Sequence, residues 1–285
     1  MGLYLKVAIN LEWIILLLAI GFCAGVVGAL VGLGGGIIIV PALLFMNQSL
    51  GLLDGLSPQK AVGISTVIMI FTGLSSTLSY VKHKRVDYKT GLIFFIGSGP
   101  GGIIGSMVNK VLDVQTFNMF FGSFVIIVSI ILLIKDRLKP VNLIDKATII
   151  KTYNDLDSTE YTYGYKPSIA IFICFLVGFC SGLFGIGGGS LIVPAMILLF
   201  LFPPHVAVAT SMFIVFLSSI TNSITHISLG NVVWAYAFAL IPGAWFGAKT
   251  GAYINTRLKS KTVVALLRLI LLVIGLKLIW EGIYG

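Results

Sequence analysis

The chain has 285 residues, 58% of them hydrophobic and 10% charged, with a mean hydropathy of +1.05. A soluble domain carries roughly 25% charged residues, so a water-soluble globular protein is excluded, as is a membrane β-barrel, whose short segments alternate in hydropathy. The net charge of +9 sits in loops beside apolar runs, where it marks membrane orientation and not a nucleic-acid footprint.

A helix needs about 20 mostly apolar residues to cross a bilayer, and the chain offers several such runs. The first segment, Leu11 to Met46, is interrupted by glycines. Only Lys6 precedes its apolar run, Glu12 follows, and no small-residue cleavage site breaks it, so it reads as mature structure and not a signal peptide. Three continuous helices are predicted next, over Gln59–Val81, Thr90–Asn109 and Gln115–Ile134. A hydrophilic stretch from Lys135 to Lys166 leads to a second glycine-broken segment, Ser168–Phe202. Helices over His205–Leu229, Val232–Ile254 and Thr262–Tyr284 complete the series. Cys23, Cys174 and Cys180 all lie in apolar segments, which indicates no disulfide framework.

The two halves repeat each other. GVVGALVGLGGGIIIVPALL from Gly25 aligns without a gap with GFCSGLFGIGGGSLIVPAMI from Gly178. This pairs Gly32 with Gly185, Gly34–Gly36 with Gly187–Gly189, and Pro41 with Pro194. AVGIST from Ala61 resembles AVATSM from Ala207, and PGGIIGSMV from Pro100 resembles PGAWFGAKT from Pro242. Three landmarks in one order define an internal duplication.

Loop charges orient the copies. Lys82, Lys84, Arg85 and Lys89 follow the second element of the first half, whereas the matching loop Ser228–Asn231 is uncharged. One loop later the contrast reverses: Lys110 and Asp113 stand against Lys249, Arg257, Lys259 and Lys261. Cytoplasmic loops collect Lys and Arg, so equivalent loops lie on opposite sides. With Lys135, Arg137 and Lys139 placing the linker inside, each glycine segment must begin and end on one side, either as a re-entrant hairpin or as two short spans. The expected architecture is an all-α polytopic membrane protein of two inverted-topology repeats. Each repeat is a glycine-broken hairpin plus three transmembrane helices, giving 8–10 helical segments in all. Residues 1–134 form the first repeat, 135–166 a cytoplasmic linker and 167–285 the second repeat. Both termini lie outside the cytoplasm of a plasma-membrane protein.

The glycines carry the functional expectation. Three in succession disfavour a helix, and irregular backbone at membrane depth is tolerated only against protein or a watery cavity. The arm after each break starts at Ile37 or Ser190 with unpaired N–H groups and a positive dipole end, a ready anion site. The competing reading is that these glycines only let helices approach closely. The expected substrate-binding residues are Gly34, Gly35, Gly36, Ser65, Thr66, Gly187, Gly188, Gly189, Ser190, Thr210 and Ser211, with Pro41 and Pro194 as structural hinges. His226, near the end of its helix, is expected at the interface. Lys249 and Arg268 are expected to snorkel, with an anion-facing role open for Arg268. There is no Walker loop, no metal-ligand spacing and no acid inside an apolar span, so no enzyme activity, cofactor or metal is expected.

These paired G-x-GGG-x-x-x-V-P signatures, with the AVGIST/AVATS and PGG/PGA segments, resemble the TauE/SafE sulfite exporter family, also called the toluenesulfonate uptake permease family. The resemblance spans the chain apart from the linker. It implies a secondary transporter of small sulfur-containing anions, such as sulfite or sulfoacetate, with the bilayer and the anion as its partners. An anion channel of the same fold is the alternative.

Overall fold

A computed structural model of the chain describes residues 2–48, 53, 56–112, 116–117, 119–121, 123–124, 148–154, 160–258, 262, 265 and 269. In chain order the elements are α1 (Gly2–Val31), α2 (Gly36–Gln48), α3 (Pro58–Val81), α4 (Tyr88–Asn109), β1 (Ile149–Asn154), β2 (Glu160–Tyr165), α5 (Pro167–Phe184), α6 (Gly189–Leu199), α7 (Pro204–Ser228) and α8 (Trp234–Arg257). The predicted helices over Gln115–Ile134 and Thr262–Tyr284, and with them Arg268, lie largely outside the described residues. Among the described residues, α1, α3, α4, α5 and α7 are long and apolar enough to cross a membrane.

Local sequence sets the boundaries. Ser57 accepts from the Lys60 amide at 3.3 Å and Pro58 opens α3, the usual pairing of a side-chain cap with proline at the first helical position. Both α3 and α7 end in a Schellman turn. In the first, Arg85 N donates to Tyr80 O at 3.4 Å and Lys84 takes the left-handed position at φ 53°. In the second, Asn231 N donates to His226 O at 2.9 Å and Gly230 takes that position at φ 72°. At 13 and 11 residues, α2 and α6 reach only about 20 and 16 Å, roughly half the depth of a bilayer.

α3 and α7 form the centre and run antiparallel: Gly63, early in α3, packs on Asn231 beyond the end of α7, and Gly73 packs on Phe216. Outside them lie two parallel pairs. Gly243, Gly247 and Gly251 of α8 sit on the backbone of Leu18, Phe22 and Val26 of α1. Gly97, Gly101 and Gly105 of α4 sit on Ile171, Phe175 and Phe179 of α5. Glycine at every fourth residue clears a groove for the neighbouring backbone, a common helix contact in lipid. The outward faces carry exposed Ile15, Leu92, Ile96, Phe172, Phe238 and Phe246, which suits contact with acyl chains.

This packing corrects one landmark. Pro100 was expected to match Pro242, but the contacts pair Gly97 with Gly243 and Gly101 with Gly247. The structural register is therefore displaced by four residues, about one helical turn. Alternative alignments by one turn keep small residues on the same face, so the letters alone favour the proline match.

Each broken segment is a hairpin that starts and ends on one side. Trp13 of α1 stacks edge-on against Tyr236 at the start of α8, on the side where α3 begins. Asn47, near the end of α2, donates to Leu56 O at 3.0 Å just before α3. In the second half, α5 starts and α6 ends at the opposite side, where Phe94 meets Tyr165, Phe200 and Phe202. Equivalent elements thus start at opposite ends of the helix bundle.

One feature was not anticipated: the linker contains a β-hairpin, with Ile149 paired to Tyr165 and Asn154 to Glu160. It docks on the start of α4. Lys151 Nζ lies 2.7 Å from both oxygens of Asp87, Tyr163 donates to Asp87 Oδ2 at 3.2 Å, and Tyr165 donates to Thr90 Oγ1 at 3.0 Å. Burial pushes the Asp87 carboxyl up, but the bonds from Lys151 and Thr90 outweigh it and hold the carboxyl below its usual range. Burial, reinforced by the Asp87 carboxylate, pushes the Tyr163 phenol up. A depressed carboxylate stabilises the docked hairpin fully above the ordinary Asp value of about 3.9. That contribution is lost as pH falls through the lower folded value. Asp87→Asn removes the ion pair and is expected to weaken docking by about 1–2 kcal/mol. The measurement is hydrogen exchange over 149–154 and 160–165, which should rise at neutral pH in the variant and in the wild type only in acid.

Candidate substrate site

The two breaks meet at the middle of the molecule. A side chain built at Gly34 would meet Val215 and Met69, which stand halfway along α7 and α3. Gly187 lies against Leu33 O and Gly34 Cα, Gly36 faces Gly185 O, and Gly189 faces Gly32 O. Positive φ values at Gly32, Gly34 and Gly35, and at Gly185 and Gly187, let each chain reverse in a conformation that L side chains rarely adopt.

The first arm of each hairpin ends in carbonyls without intrahelical partners, and side chains answer them in reciprocal pairs. Ser211 Oγ donates to Gly32 O at 3.0 Å, and its counterpart Ser65 donates to Gly185 O at 2.7 Å. Asn255 Nδ2 donates to Leu30 O at 2.6 Å, and Asn109 Nδ2 to Leu183 O at 2.7 Å. Tyr80 OH donates to Ala29 O at 2.7 Å, and His226 Nε2 lies 3.2 Å from Gly182 O. The serine and asparagine caps cross from one half to the other. Thr72 departs from the symmetry, donating to Gly34 O at 2.8 Å, while Ser218, at the matching place, pairs with Ser98 at 2.8 Å.

The second arms are different. Among the described residues, the amides of Gly35, Gly36 and Ile37 and those of Gly187, Gly188 and Gly189 have no acceptor. Polar side chains have been spent on the carbonyls and none on these N–H groups. Two helix N-termini, α2 and α6, therefore converge with their positive ends unneutralised.

Of the residues expected to bind substrate, Gly34–Gly36, Gly187–Gly189, Ser190, Ser65 and Ser211 are all buried at this crossing. Ser65 and Ser211 have their hydroxyl hydrogens committed to carbonyls. Thr66 is bonded back to Gly63 O at 2.8 Å. Thr210 points elsewhere: its Oγ1 accepts from Asp87 N at 3.0 Å, at the end of the helices where the linker hairpin docks. Pro41 and Pro194 are buried inside α2 and α6, where each removes one intrahelical hydrogen bond. His226 is not interfacial; it is fully buried, with Asn231 Nδ2 3.2 Å from its Nδ1. Its helix end is covered by the partner half, which charge patterning does not reveal. Lys249 is exposed. Asn109 and Asn255 were missed, and their signal was the same polar residue in the same place at the ends of two equivalent apolar helices.

Two half-depth helices entering from opposite faces, with their N-termini meeting at mid-span, define the architecture of a membrane transporter. The model of the sulfite exporter TauE/SafE family matches residues 17–278, and the chain belongs to that family. It is 55% identical over 271 residues, 95% of this chain and 99% of the relative, to "Probable membrane transporter protein YunE" of Bacillus subtilis. It is also 28% identical over 272 residues, 92% of this chain and 93% of the relative, to a "Probable membrane transporter protein" of Methanocaldococcus jannaschii. No solved structure matches the chain.

Proposed function

We propose that the chain moves a small sulfur-containing anion, sulfite or an organosulfonate such as sulfoacetate, across the plasma membrane by alternating access. The observation that carries this reading is the pair of unsatisfied N-termini at the crossing. Unpaired N–H groups at helix depth are costly unless something accepts from them, and an oxyanion presents several acceptor oxygens at once. The proposed site comprises Gly34–Gly36, Gly187–Gly189 and Ser190, with Ser65 and Ser211 becoming available as the halves rock. Thr66 and Thr210 would join only if rocking frees their present bonds. Pro41 and Pro194 weaken the arms at the points that must flex. In the cell, the linker and its docked hairpin face the cytoplasm and both termini face outward.

The test is counterflow in proteoliposomes. Vesicles preloaded with unlabelled sulfite are expected to accumulate radiolabelled sulfite transiently, and sulfoacetate in the lumen should substitute for it. Steady equilibration without that overshoot identifies a channel of the same fold. Absence of any sulfur-anion flux in liposomes where the protein is folded removes the reading.

A further inference from the structure

Arg85 is the one charged side chain among the buried residues described, and the Schellman turn at Lys84 delivers it inward. It is 3% exposed and reaches across to the second half. Its Nη1 lies 3.3 Å from His205 Nδ1, at the start of α7, and its Nη2 donates to Thr256 O, near the end of α8, at 3.4 Å. Both are long for a guanidinium, whose charge-assisted bonds run at about 2.7–2.9 Å. His205 Nδ1 also lies 3.1 Å from Asn255 Oδ1. One ring nitrogen cannot donate to that oxygen and accept from Arg85 together, so one of the two contacts is always compromised.

Among the described residues, no carboxylate stands within ion-pair distance of Arg85. Asp87, two residues on, is already engaged by Lys151, Thr90 and Tyr163. A buried cation without an anionic partner costs several kcal/mol. The guanidinium has five N–H donors, and its two long contacts among the described residues leave most of them over. Arg85 also lines an open cleft of about 380 Å³ with Lys84, Lys151, Thr152, Tyr153 and Tyr163. The Lys151 and Asp87 charges cancel there, leaving Lys84 and Arg85 as the net field. Lys84 holds its place in a left-handed conformation where the equivalent position in the other half is Gly230, and a non-glycine residue there carries backbone strain. At the other mouth, Asn231 occupies the position equivalent to Arg85.

We propose that this cleft is an oxyanion-docking site at one mouth of the transport path, with Arg85 as its principal ligand and Lys84 beside it. The proposal rests on the transport reading for its place in the cycle. An oxyanion in the cleft accepts the guanidinium fork and competes with the His205 and Thr256 contacts. Those contacts tie the first half's α3–α4 loop to the second half's α7 and α8, so docking loosens a latch between the halves. The two mouths are then unequal, because the turn at the other end carries Gly230 and Asn231 where this one carries Lys84 and Arg85.

The test separates binding from transport. Purified full-length protein, in detergent free of anionic lipid, is titrated with sodium sulfite against sodium chloride at matched ionic strength, and thermal unfolding is followed. The wild type should gain a sulfite-dependent rise in Tm. Arg85→Gln should reduce it to what the central crossing alone contributes, and Arg85→Lys, which keeps the charge and guards against misfolding, should weaken sulfite binding in the cleft about tenfold through loss of the bidentate fork. In oriented proteoliposomes, Arg85→Lys should raise KM about tenfold from the Lys84–Arg85 face and leave KM from the opposite face unchanged. Sulfite-dependent shifts and KM values that match the wild type in both variants overturn the proposal. So does a Tm rise that appears only with phosphatidylglycerol vesicles, which would make the anion a lipid headgroup. A sulfite shift that depends on Arg85 in a protein that transports nothing supports the docking site and removes the transport reading; no shift in the wild type overturns the docking site itself.

Discussion

Gly36→Ala and Gly189→Ala are each expected to reduce transport to a small fraction of the wild type, and Gly188→Ala is not. The Cβ of residue 36 would be driven into Gly185 O, and that of residue 189 into Gly32 O. Both obstacles are backbone of the opposite hairpin, fixed by the serine bonds that cross between the halves, so neither can yield as a flexible side chain would. Overpacking at a rigid contact costs about 1–3 kcal/mol, and here it also forces apart the surfaces proposed to converge on the anion. Gly188 differs because its nearest neighbours would be the side chains of Ile192 and Val177, at 3.3 Å, and its φ is −50°. Its alanine variant keeps the N–H and is expected to retain activity within about twofold, the two side chains shifting slightly. Uptake of radiolabelled sulfite by the three variants, reconstituted at equal folded amounts, checks the contrast. Equal activity in all three would show that the hairpins do not touch as described.

The second large effect falls on the asparagines. Asn255→Ala removes the donor to Leu30 O and the oxygen facing His205, and both residues are fully buried. A buried acceptor left without a partner costs about 1–3 kcal/mol. Asn109→Ala removes the donor to Leu183 O, but the Asn109 Oδ1 has no partner to lose. The expected order of destabilisation is therefore Asn255→Ala greater than Asn109→Ala, with both well above an exposed control such as Thr250→Ala. Thermal unfolding of the detergent-solubilised variants reads that order, and a reversed order would contradict the bonding assigned to Asn255.

Much of the architecture was legible because the bilayer imposes a simple code. Length and apolarity located α3, α4 and α7 to within a few residues, and Lys82–Lys89 against Ser228–Asn231 predicted that equivalent elements run in opposite directions. The glycine triplets located both breaks, although glycines between apolar flanks do not by themselves compel one, since Gly97, Gly99, Gly101 and Gly102 lie inside the continuous α4. Other features depend on tertiary context. Ser65 and Thr66 are neighbours in sequence, yet only the serine reaches the opposite break, and helical rotation decides that. Thr210 sits beside Ser211 for the same reason and faces a different part of the molecule. The hairpin had a local signal, the alternating tyrosines at 161, 163 and 165, masked by the polar composition of the linker. Arg85 read as one more positive-inside charge; only the fold turns it inward.

The crossed caps bear on how the protein is made. The carbonyls of Leu30 and Gly32 are satisfied by Asn255 and Ser211, which the ribosome delivers much later. Until α7 and α8 enter the membrane, the first hairpin must wait with bare acceptors in a nonaqueous medium. Neither half is therefore expected to fold on its own. Two separately encoded halves would thus be expected to rescue each other when co-expressed and to be degraded when expressed alone, a dependence that an antiparallel pair of identical ancestral subunits would already have had.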